Sequence, residues 1–100
     1  MNLQDIDVIE GVVEADEMEE ALALQRAING GSAWSFQGSY GRAMMDALKA
    51  GVCMLGERPA RDYWGNFIPS RDMVKAGSFG SREFVVERFG EDYAVALEAA

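Results

Sequence analysis

Carboxylates are the chemically active side chains that this sequence concentrates most strongly, and the densest group lies near its start. Residues 1–20 hold eight acidic residues and no basic one, whereas residues 21–82 carry a net charge of +4 and residues 83–100 a net charge of −4. A phosphate backbone would repel such a group, and a basic groove on another protein would attract it. We therefore predict a partner-binding face here, the alternative being an ordinary solvated helix face. The candidate residues are Glu14, Glu17, Glu19 and Glu20, supported by Asp5, Asp7 and Glu10.

Two absences from the sequence limit the catalytic chemistry. The chain has no histidine, and Cys53 is its single cysteine. Without histidine there is no Ser-His-Asp or Cys-His nucleophile system and no histidine-ligated zinc or iron. One cysteine cannot build a thiolate metal site or an internal disulfide. The remaining acid–base candidates are carboxylates, Lys49, Lys75 and tyrosines, so we predict that the protein is not an enzyme and uses no metal or cofactor.

The motif GSYG, residues 38–41, could hold a phosphate or could simply begin a helix. A Walker loop needs a Gly-Lys-Ser/Thr sequence that is missing here, and a dinucleotide loop needs GxGxxG after a strand. The GXXG loop of RNA-binding KH domains is the nearest match, but it belongs to a strand-containing fold. Ser39 is a good cap for a helix that runs to Ala50 and is closed by Gly51. We therefore predict a helix, with Gly41 in its first turn allowing a neighbouring element to approach closely.

Three further segments have patterns typical of helices. Residues 3–13 space their apolar side chains as a helix does, although their β-branched residues leave a strand possible. Asp16 and Glu19 predict the start of a second helix, which Asn29-Gly30-Gly31 ends. Ser81 predicts the cap of a last helical region that Gly90 splits in two. In the second helix the predicted core side is Met18, Ala21, Leu22, Leu24 and Ile28, and the predicted exposed side is Glu19, Glu20, Ala23 and Arg26.

Residues 57–81 have a different composition, with both prolines and several glycines and arginines. We predict an ordered loop here, with a short helix at residues 60–64 and a turn at Gly65-Asn66. Its aromatic residues either hold the loop against the core, which is the usual role of apolar residues in long loops, or anchor a partner. Just before the GSYG motif, Trp34 and Phe36 are predicted to be core residues. The loop aromatics are Tyr63, Trp64 and Phe67.

The overall composition predicts one globular domain spanning residues 1–100. The chain is 49% hydrophobic and 26% charged, which is ordinary for a folded protein. No apolar run approaches the roughly 20 residues that span a bilayer, and the acidic first residues differ from a signal peptide. We predict a cytoplasmic, mainly α, small single-domain helical fold with a long ordered loop between its third and last helices.

Residues 33–55, AWSFQGSYGRAMMDALKAGVCML, resemble a group of small phage-encoded proteins. That group shares a short acidic helix, then a tryptophan, then a Leu-Gln-Gly-x-Tyr-Gly-Arg stretch that opens a helix ending in Ala-Gly. The resemblance extends over residues 5–55 and implies a phage or mobile-element protein. The matching residues are Trp34, Phe36, Gln37, Gly38, Tyr40, Gly41, Arg42, Ala50 and Gly51.

In size, acidity and lack of catalytic residues the chain is also similar to small anti-CRISPR proteins of Pseudomonas phages, particularly inhibitors of the type I-F surveillance complex. That similarity implies a protein that binds the host's multisubunit crRNA-guided effector complex at its basic DNA-binding groove and blocks engagement of target DNA. It implies stoichiometric occupancy in the cytoplasm of the host bacterial cell, without direct nucleic-acid binding or membrane attachment.

Two alternative functions remain open from the sequence. The first is an acidic antitoxin-like or accessory regulator that neutralises another basic protein. The second is a nucleic-acid-binding module that uses the basic loop of residues 58–75. Its candidate residues are Arg58, Arg61, Tyr63, Trp64 and Arg71.

Overall fold

The computed structural model describes residues 17–36 and 39–100, and this part of the chain is mainly helical, as predicted. Between its second and third helices lies a pair of two-residue antiparallel strands. The elements are α1 Glu17–Gly30, a 3₁₀ helix Ser32–Ser35, α2 Ser39–Ala50, β1 Ala60–Arg61, β2 Phe67–Ile68, a 3₁₀ helix Arg71–Met73, α3 Arg82–Phe89 and α4 Glu91–Glu98. The helix or strand predicted over residues 3–13 and the Asp16 cap lie outside the described residues.

Helix α1 is the central element, because α2 packs against one of its sides and α4 against another. Because two helices pack on α1, buried side chains cover more of its circumference than the single apolar stripe of a helix with one neighbour. The prediction that Ala23 lies on the exposed side is therefore wrong, since Ala23 is fully buried. Glu19, Glu20 and Arg26 are exposed, as predicted. The buried side chains of α1 are Ala21, Ala23, Leu24, Gln25, Ala27 and Ile28.

Helix α2 has the predicted bounds, and Gly51 follows it with a φ of 75°. In this left-handed conformation glycine avoids the clash that a Cβ atom would cause, so the residue ends the helix. The prediction for Gly41 is wrong, because a Cβ atom built there meets no heavy atom within 4 Å. Trp34 is buried as predicted, but Phe36 is 39% exposed and its ring contacts Tyr40 edge-on. Phe36 is therefore not a core residue.

The chain from Val52 to Gly56 runs between two clusters of buried side chains. Successive side chains of an extended segment point to opposite sides. Cys53 and Leu55 accordingly join the larger cluster, around α1 and α2, while Met54 joins the smaller one, beside α3 and α4. A strand in this position would need a neighbouring strand to satisfy its backbone.

The side-chain amide of Gln25, which is fully buried, takes the place of a neighbouring strand and bonds the backbone of Met54. The Met54 N–H donates to Gln25 Oε1 at 2.9 Å, and Gln25 Nε2 donates to the Met54 carbonyl at 2.8 Å. The same nitrogen donates to Asn29 Oδ1 at 2.9 Å. One glutamine side chain thus joins α1 to the buried segment that separates the two clusters.

The last helical region is divided as predicted. The Ser81 hydroxyl accepts from the Phe84 N–H at 3.2 Å and caps α3, and Gly90, with a φ of 94°, separates α3 from α4. Arg82 then joins the two helices, because its guanidinium pairs with Glu91 and, at 2.7 Å, with Glu98. These contacts hold α4 against α3. A separate hydrogen bond joins the end of the chain to α1, because Asn29 Nδ2 donates to the Ala100 carbonyl at 3.1 Å.

We expect Gly80→Ala to destabilise the fold more than Gly77→Ala. Both glycines have positive φ angles, 92° and 88°, so both variants store backbone strain of about 1 kcal/mol. At Gly80 the new Cβ would also lie 2.6 Å from Cδ1 of buried Leu55, whereas at Gly77 it meets open space. Overpacking should raise the loss for Gly80→Ala to about 2 kcal/mol. Urea unfolding of both variants measures the difference, and equal losses would show that Leu55 moves aside freely.

Candidate partner-binding surfaces

The structure places three of the predicted partner-binding residues in the first turn of α1. Glu17, Glu19 and Glu20 are all exposed there, where the positive end of the helix dipole favours carboxylates. The prediction that these residues contact a partner stays a prediction. The remaining candidates lie outside the described residues, namely Asp5, Asp7, Glu10 and Glu14.

Beside these carboxylates a groove of about 740 Å³ opens between α1 and α2, here called the α1–α2 groove. Its edge carries the carboxylates Glu17, Glu20 and Asp46, and most of its other lining is apolar. Small alanine side chains on both helices leave this space open. In the sequence these alanines look like ordinary packing residues, so the sequence does not predict the groove. The apolar lining residues are Met18, Ala21, Leu24, Ala43, Ala47, Ala50, Val52, Phe89 and Tyr93.

Tyr93, which lines the groove, and the neighbouring Cys53 are held in their neutral forms at neutral pH. Tyr93 donates its hydroxyl to the Val52 carbonyl at 2.6 Å, and burial raises the pKa of Tyr93 to about 12. The Cys53 thiol lies 3.4 Å from the Ala21 carbonyl, and burial raises the pKa of Cys53 to about 12. Nucleophilic cysteines have lowered, not raised, pKa values. Neither Tyr93 nor Cys53 is therefore ionised to act as a base or nucleophile at neutral pH.

A second surface is formed by residues 60–68, here called the aromatic hairpin. The short helix predicted at residues 60–64 is wrong, because Ala60 pairs with Ile68 and Arg61 with Phe67 in an antiparallel ladder. The turn is centred on Tyr63-Trp64, two residues before the predicted Gly65-Asn66, because the Gly65 N–H donates to the Asp62 carbonyl at 3.0 Å. Gly65 ends this turn with a φ of 82°.

Asp62 explains why the segment turns and does not form a helix. Its Oδ1 accepts from the backbone N–H groups of Trp64, at 2.9 Å, and Asn66, at 2.8 Å. Aspartate side chains that bond the backbone just after them compete with the helix in this way and stabilise turns. Arg61 adds a further bond from Nη1 to the Gly65 carbonyl at 2.9 Å. The tip of the hairpin is therefore held by its own hydrogen bonds.

The aromatic rings of the hairpin lie on its surface. Tyr63 is 47% exposed, Trp64 78% and Phe67 50%, so the expectation that they hold the loop against the core is wrong. Ile68 has that role instead, because it is buried in the larger cluster. The Tyr63 and Trp64 rings meet edge-on with centroids 4.8 Å apart, and the Arg61 guanidinium lies 5.9 Å from the Phe67 ring centroid. The hairpin thus displays a cluster of rings in a defined arrangement.

A small pocket of about 240 Å³ separates the hairpin from the first turns of α2. Gly41 of the GSYG motif borders this pocket together with the Tyr63 and Trp64 rings of the hairpin. The motif itself begins α2, as the helix interpretation predicts. The pocket is lined by Trp34, Phe36, Gly41, Arg42, Met45, Asp62, Tyr63, Trp64 and Ile68.

The arginines proposed for nucleic-acid binding are not equally available. Arg58 is exposed, and Arg61 is exposed but bonded to Gly65. Arg71 donates from Nε to the Leu55 carbonyl at 2.8 Å and thereby supports the buried segment. Arg58 and Arg71 line one small pocket together with Glu57 and Glu98, and Arg61 is not part of it. The structure therefore does not combine the three arginines into one basic surface.

Within residues 17–36 and 39–100, no three His, Cys, Asp or Glu side chains are grouped to hold a metal ion. No helix in the same part of the chain has the length and apolar character needed to cross a membrane. No family model, no curated protein and no solved structure matches the chain.

Proposed function

We propose that this protein acts by stoichiometric binding to another protein, whose surface it occupies. The observation that supports this most strongly is the aromatic hairpin. Exposed tryptophan and tyrosine side chains are the residues that most often dominate the energy of protein–protein interfaces. Trp64, at 78% exposure, is the most exposed of the large hydrophobic side chains in the described residues. Unless a partner covers it, this apolar surface is in contact with water.

The hydrogen bonds of the hairpin are a second observation that favours binding, after the exposure of its rings. Binding costs about 0.5–1.5 kcal/mol for each flexible side chain that it immobilises, and more where a loop must be ordered. Asp62 and Arg61 already fix the tip around Gly65. A ring cluster that is ordered before binding loses little further conformational entropy when a partner covers it.

The carboxylates of α1 indicate the charge of the partner. Glu17, Glu20 and Asp46 lie together at the edge of the α1–α2 groove. Carboxylates clustered in this way accelerate association with a basic surface and raise its specificity. Together with the resemblance to type I-F inhibitors, this favours a host crRNA-guided effector complex in the cytoplasm, bound at its basic DNA-binding groove.

The two surfaces lie close enough for one partner to contact both. Arg42 and Met45 border the hairpin pocket, while Ala43 and Asp46 border the α1–α2 groove. All four belong to successive turns of α2. A partner that lies across the first half of α2 would therefore meet the rings on one side and the carboxylates on the other.

Charge reversal tests the role of the carboxylates. The double variant Glu17→Lys/Glu20→Lys should associate with purified effector complex about tenfold more slowly at low salt, and the difference should shrink as salt screens the attraction. Both side chains are exposed, so the loss of unfolding free energy should stay within about 1 kcal/mol. Stopped-flow association at two salt concentrations, with melting curves, gives the measurement.

Arg58→Glu is the matched control, because Arg58 is also exposed but lies away from the α1 carboxylates in sequence and beside the hairpin. It should slow association less than the double variant. If Arg58→Glu abolishes binding and the α1 variant binds normally, the partner surface is acidic and the proposed partner is wrong. If neither variant nor wild type binds the effector, pull-down from host lysate tests the alternative of an antitoxin-like regulator of another basic protein.

Single-stranded nucleic acid is a second candidate ligand, favoured by the exposed rings alone. Rings on which bases stack, beside arginines that contact phosphates, are the usual elements of such sites. Arg58 and Arg61 both precede the rings in the sequence, but Asp62 lies between these arginines and the rings, and the net charge of the chain is −8. A gel-shift titration with single-stranded DNA and RNA decides this alternative.

A further inference from the structure

We propose that the α1–α2 groove receives an amphipathic helix of the partner protein, with basic residues along the borders of its apolar face. The inference rests on the proposed function, because it names the structural element by which a protein partner would be bound. It gives the partner a second contact besides the aromatic hairpin, one that differs from the hairpin in shape and in charge.

The walls of the groove favour a helix as its occupant. On the α2 side, Ala43, Ala47 and Ala50 line the groove at helical spacing, and such small side chains allow another helix to approach closely. Phe89 and Tyr93 add two stacked rings with centroids 4.7 Å apart, and Phe89 is 49% exposed. An amphipathic helix that lays its apolar face into such a groove is a recurring mode of protein recognition.

The lining of the groove favours a protein segment over a small molecule. Its volume, about 740 Å³, would suit either occupant. Small-molecule sites, however, contain a few polar groups that converge on the ligand. Here the Tyr93 hydroxyl is already bonded to the Val52 carbonyl at 2.6 Å, and the charged lining residues lie at the edge. An apolar surface with charge at its edge matches the centre and rim of a protein interface.

Charge complementarity decides which amphipathic helix fits the groove. The charged residues that line it are all acidic, with Glu17 and Glu20 on α1 and Asp46 on α2. None of these three carboxylates forms an ion pair with another residue of the described ranges 17–36 and 39–100. A helix between α1 and α2 would therefore meet a carboxylate along each border of its apolar face. Lysine or arginine at those borders would be attracted, whereas glutamate or aspartate would be repelled.

The two borders are not equally acidic. On α2, Arg42 and Lys49 are exposed one turn before and one turn after Asp46, although neither lines the groove. On α1, Glu17 and Glu20 lie one turn apart and both line the groove. The basic residues of the partner helix should therefore be concentrated along its α1 border.

A peptide titration followed by NMR tests the proposal on the full-length chain without the effector complex. The probe is a synthetic peptide of about 16 residues, about 24 Å long as a helix, with leucine on one face and lysine along both borders of that face. One matched peptide has glutamate in place of every lysine. A second has the composition of the probe, with its leucines scattered around the helix.

We expect the probe to shift the methyl signals of Met18, Ala47 and Ala50, which line the groove, and to leave the indole N–H signal of Trp64 in place. Its affinity should exceed that of either matched peptide by about tenfold or more, because only the probe combines the apolar face with complementary charge.

Charge reversal on the protein shows whether the α1 carboxylates are responsible. Glu17→Lys/Glu20→Lys should lower the affinity for the probe about tenfold and raise the affinity for the glutamate peptide. The matched control is Glu83→Lys/Glu87→Lys, because these carboxylates are exposed on α3 and do not line the groove. It should lower the affinity less than about twofold, since salt screens distant charges. Melting curves establish that both variants retain the fold.

Three results would overturn the proposal. In the first, the peptide with scattered leucines binds as tightly as the probe, which would show that charge alone attracts it. In the second, no peptide shifts the groove signals, which would show that the groove does not admit a partner helix. In the third, the same signals shift when the free protein is diluted, which would show that a second copy of the chain occupies the groove.

Failure of this proposal and failure of the proposed function have different signatures. If the effector complex binds but the probe does not, the partner contacts another surface and only the helix in the groove is wrong. If the probe binds but the effector complex does not, the groove does receive a basic amphipathic helix, and the partner is a different protein.

Discussion

Gln25→Leu is expected to lower the free energy of unfolding by about 4 kcal/mol, the largest stability change that we predict for a single substitution. Leucine has a similar size and is a good helix former, so neither helix propensity nor volume should account for the loss. It would, however, leave both the N–H and the carbonyl of buried Met54 without their partner. An unsatisfied buried backbone group costs about 1–3 kcal/mol, and here there are two.

Asn29→Ala is the control for this prediction. It removes the hydrogen bonds that Asn29 makes to Gln25 and to the Ala100 carbonyl, but it leaves Met54 paired. Its cost should be about 1 kcal/mol. Urea unfolding at neutral pH measures both variants. If Gln25→Leu costs no more than Asn29→Ala, the segment between the two clusters must rearrange to satisfy its own backbone.

Gln25 also illustrates which features of this fold the sequence could predict. The ends of α2 and the division at Gly90 depend on residues within one turn, such as Ser81 and Gly51, and those predictions were confirmed. The partner of Gln25 lies 29 residues away. A glutamine within an apolar helix pattern resembles any solvent-facing residue until the position of Met54 is known.

The errors in α1 and at Gly41 have the same origin. The apolar spacing of α1 predicts one buried side and leaves Ala23 outside it, but α1 packs against two helices. A glycine in the first turn of a helix predicts a closely packed neighbour, but Gly41 borders a pocket that it shares with residues of the hairpin. The spacing of apolar residues within one helix predicts neither a second packing neighbour of that helix nor its distance from a loop.

The sequence of the hairpin contains a local pattern from which its turn can be predicted. Asp62, Gly65 and Asn66 are turn-forming residues at the spacing of a tight loop, and they outweigh the helical character of residues 60–64. The exposure of the rings could not be predicted in the same way. Which side of a two-residue strand faces the core depends on Ile68, and only the three-dimensional structure shows that this side chain is the buried one.

For the candidate surfaces, the sequence correctly placed the α1 carboxylates in an exposed first turn. It did not associate them with Asp46, which is 26 residues after Glu20 and meets it only across the groove. Surfaces assembled from two helices need the helix packing to be known first. The proposed binding function therefore depends on contacts that appear only in the fold.

Trp64→Ala is expected to weaken binding to the partner roughly 100-fold, about 3 kcal/mol, which is typical of an aromatic hot-spot residue. The unfolding free energy should change by less than about 0.5 kcal/mol, because a side chain that is 78% exposed contributes little to the core. Isothermal titration of purified effector complex with wild type and variant gives the affinity ratio. A matched melting curve separates lost contact from lost folding.

Two further variants decide whether the rings act as an ordered anchor. Phe79→Ala removes another ring, 44% exposed but outside the hairpin, and should leave the affinity unchanged. Asp62→Ala keeps every ring but removes the bonds to the Trp64 and Asn66 N–H groups, so it should weaken binding by the cost of ordering the tip. Should Phe79→Ala weaken binding as much as Trp64→Ala, the effect would reflect general apolar contact. Should Trp64→Ala reduce only the gel shift of single-stranded nucleic acid and leave effector binding unchanged, the hairpin would instead be a base-stacking site.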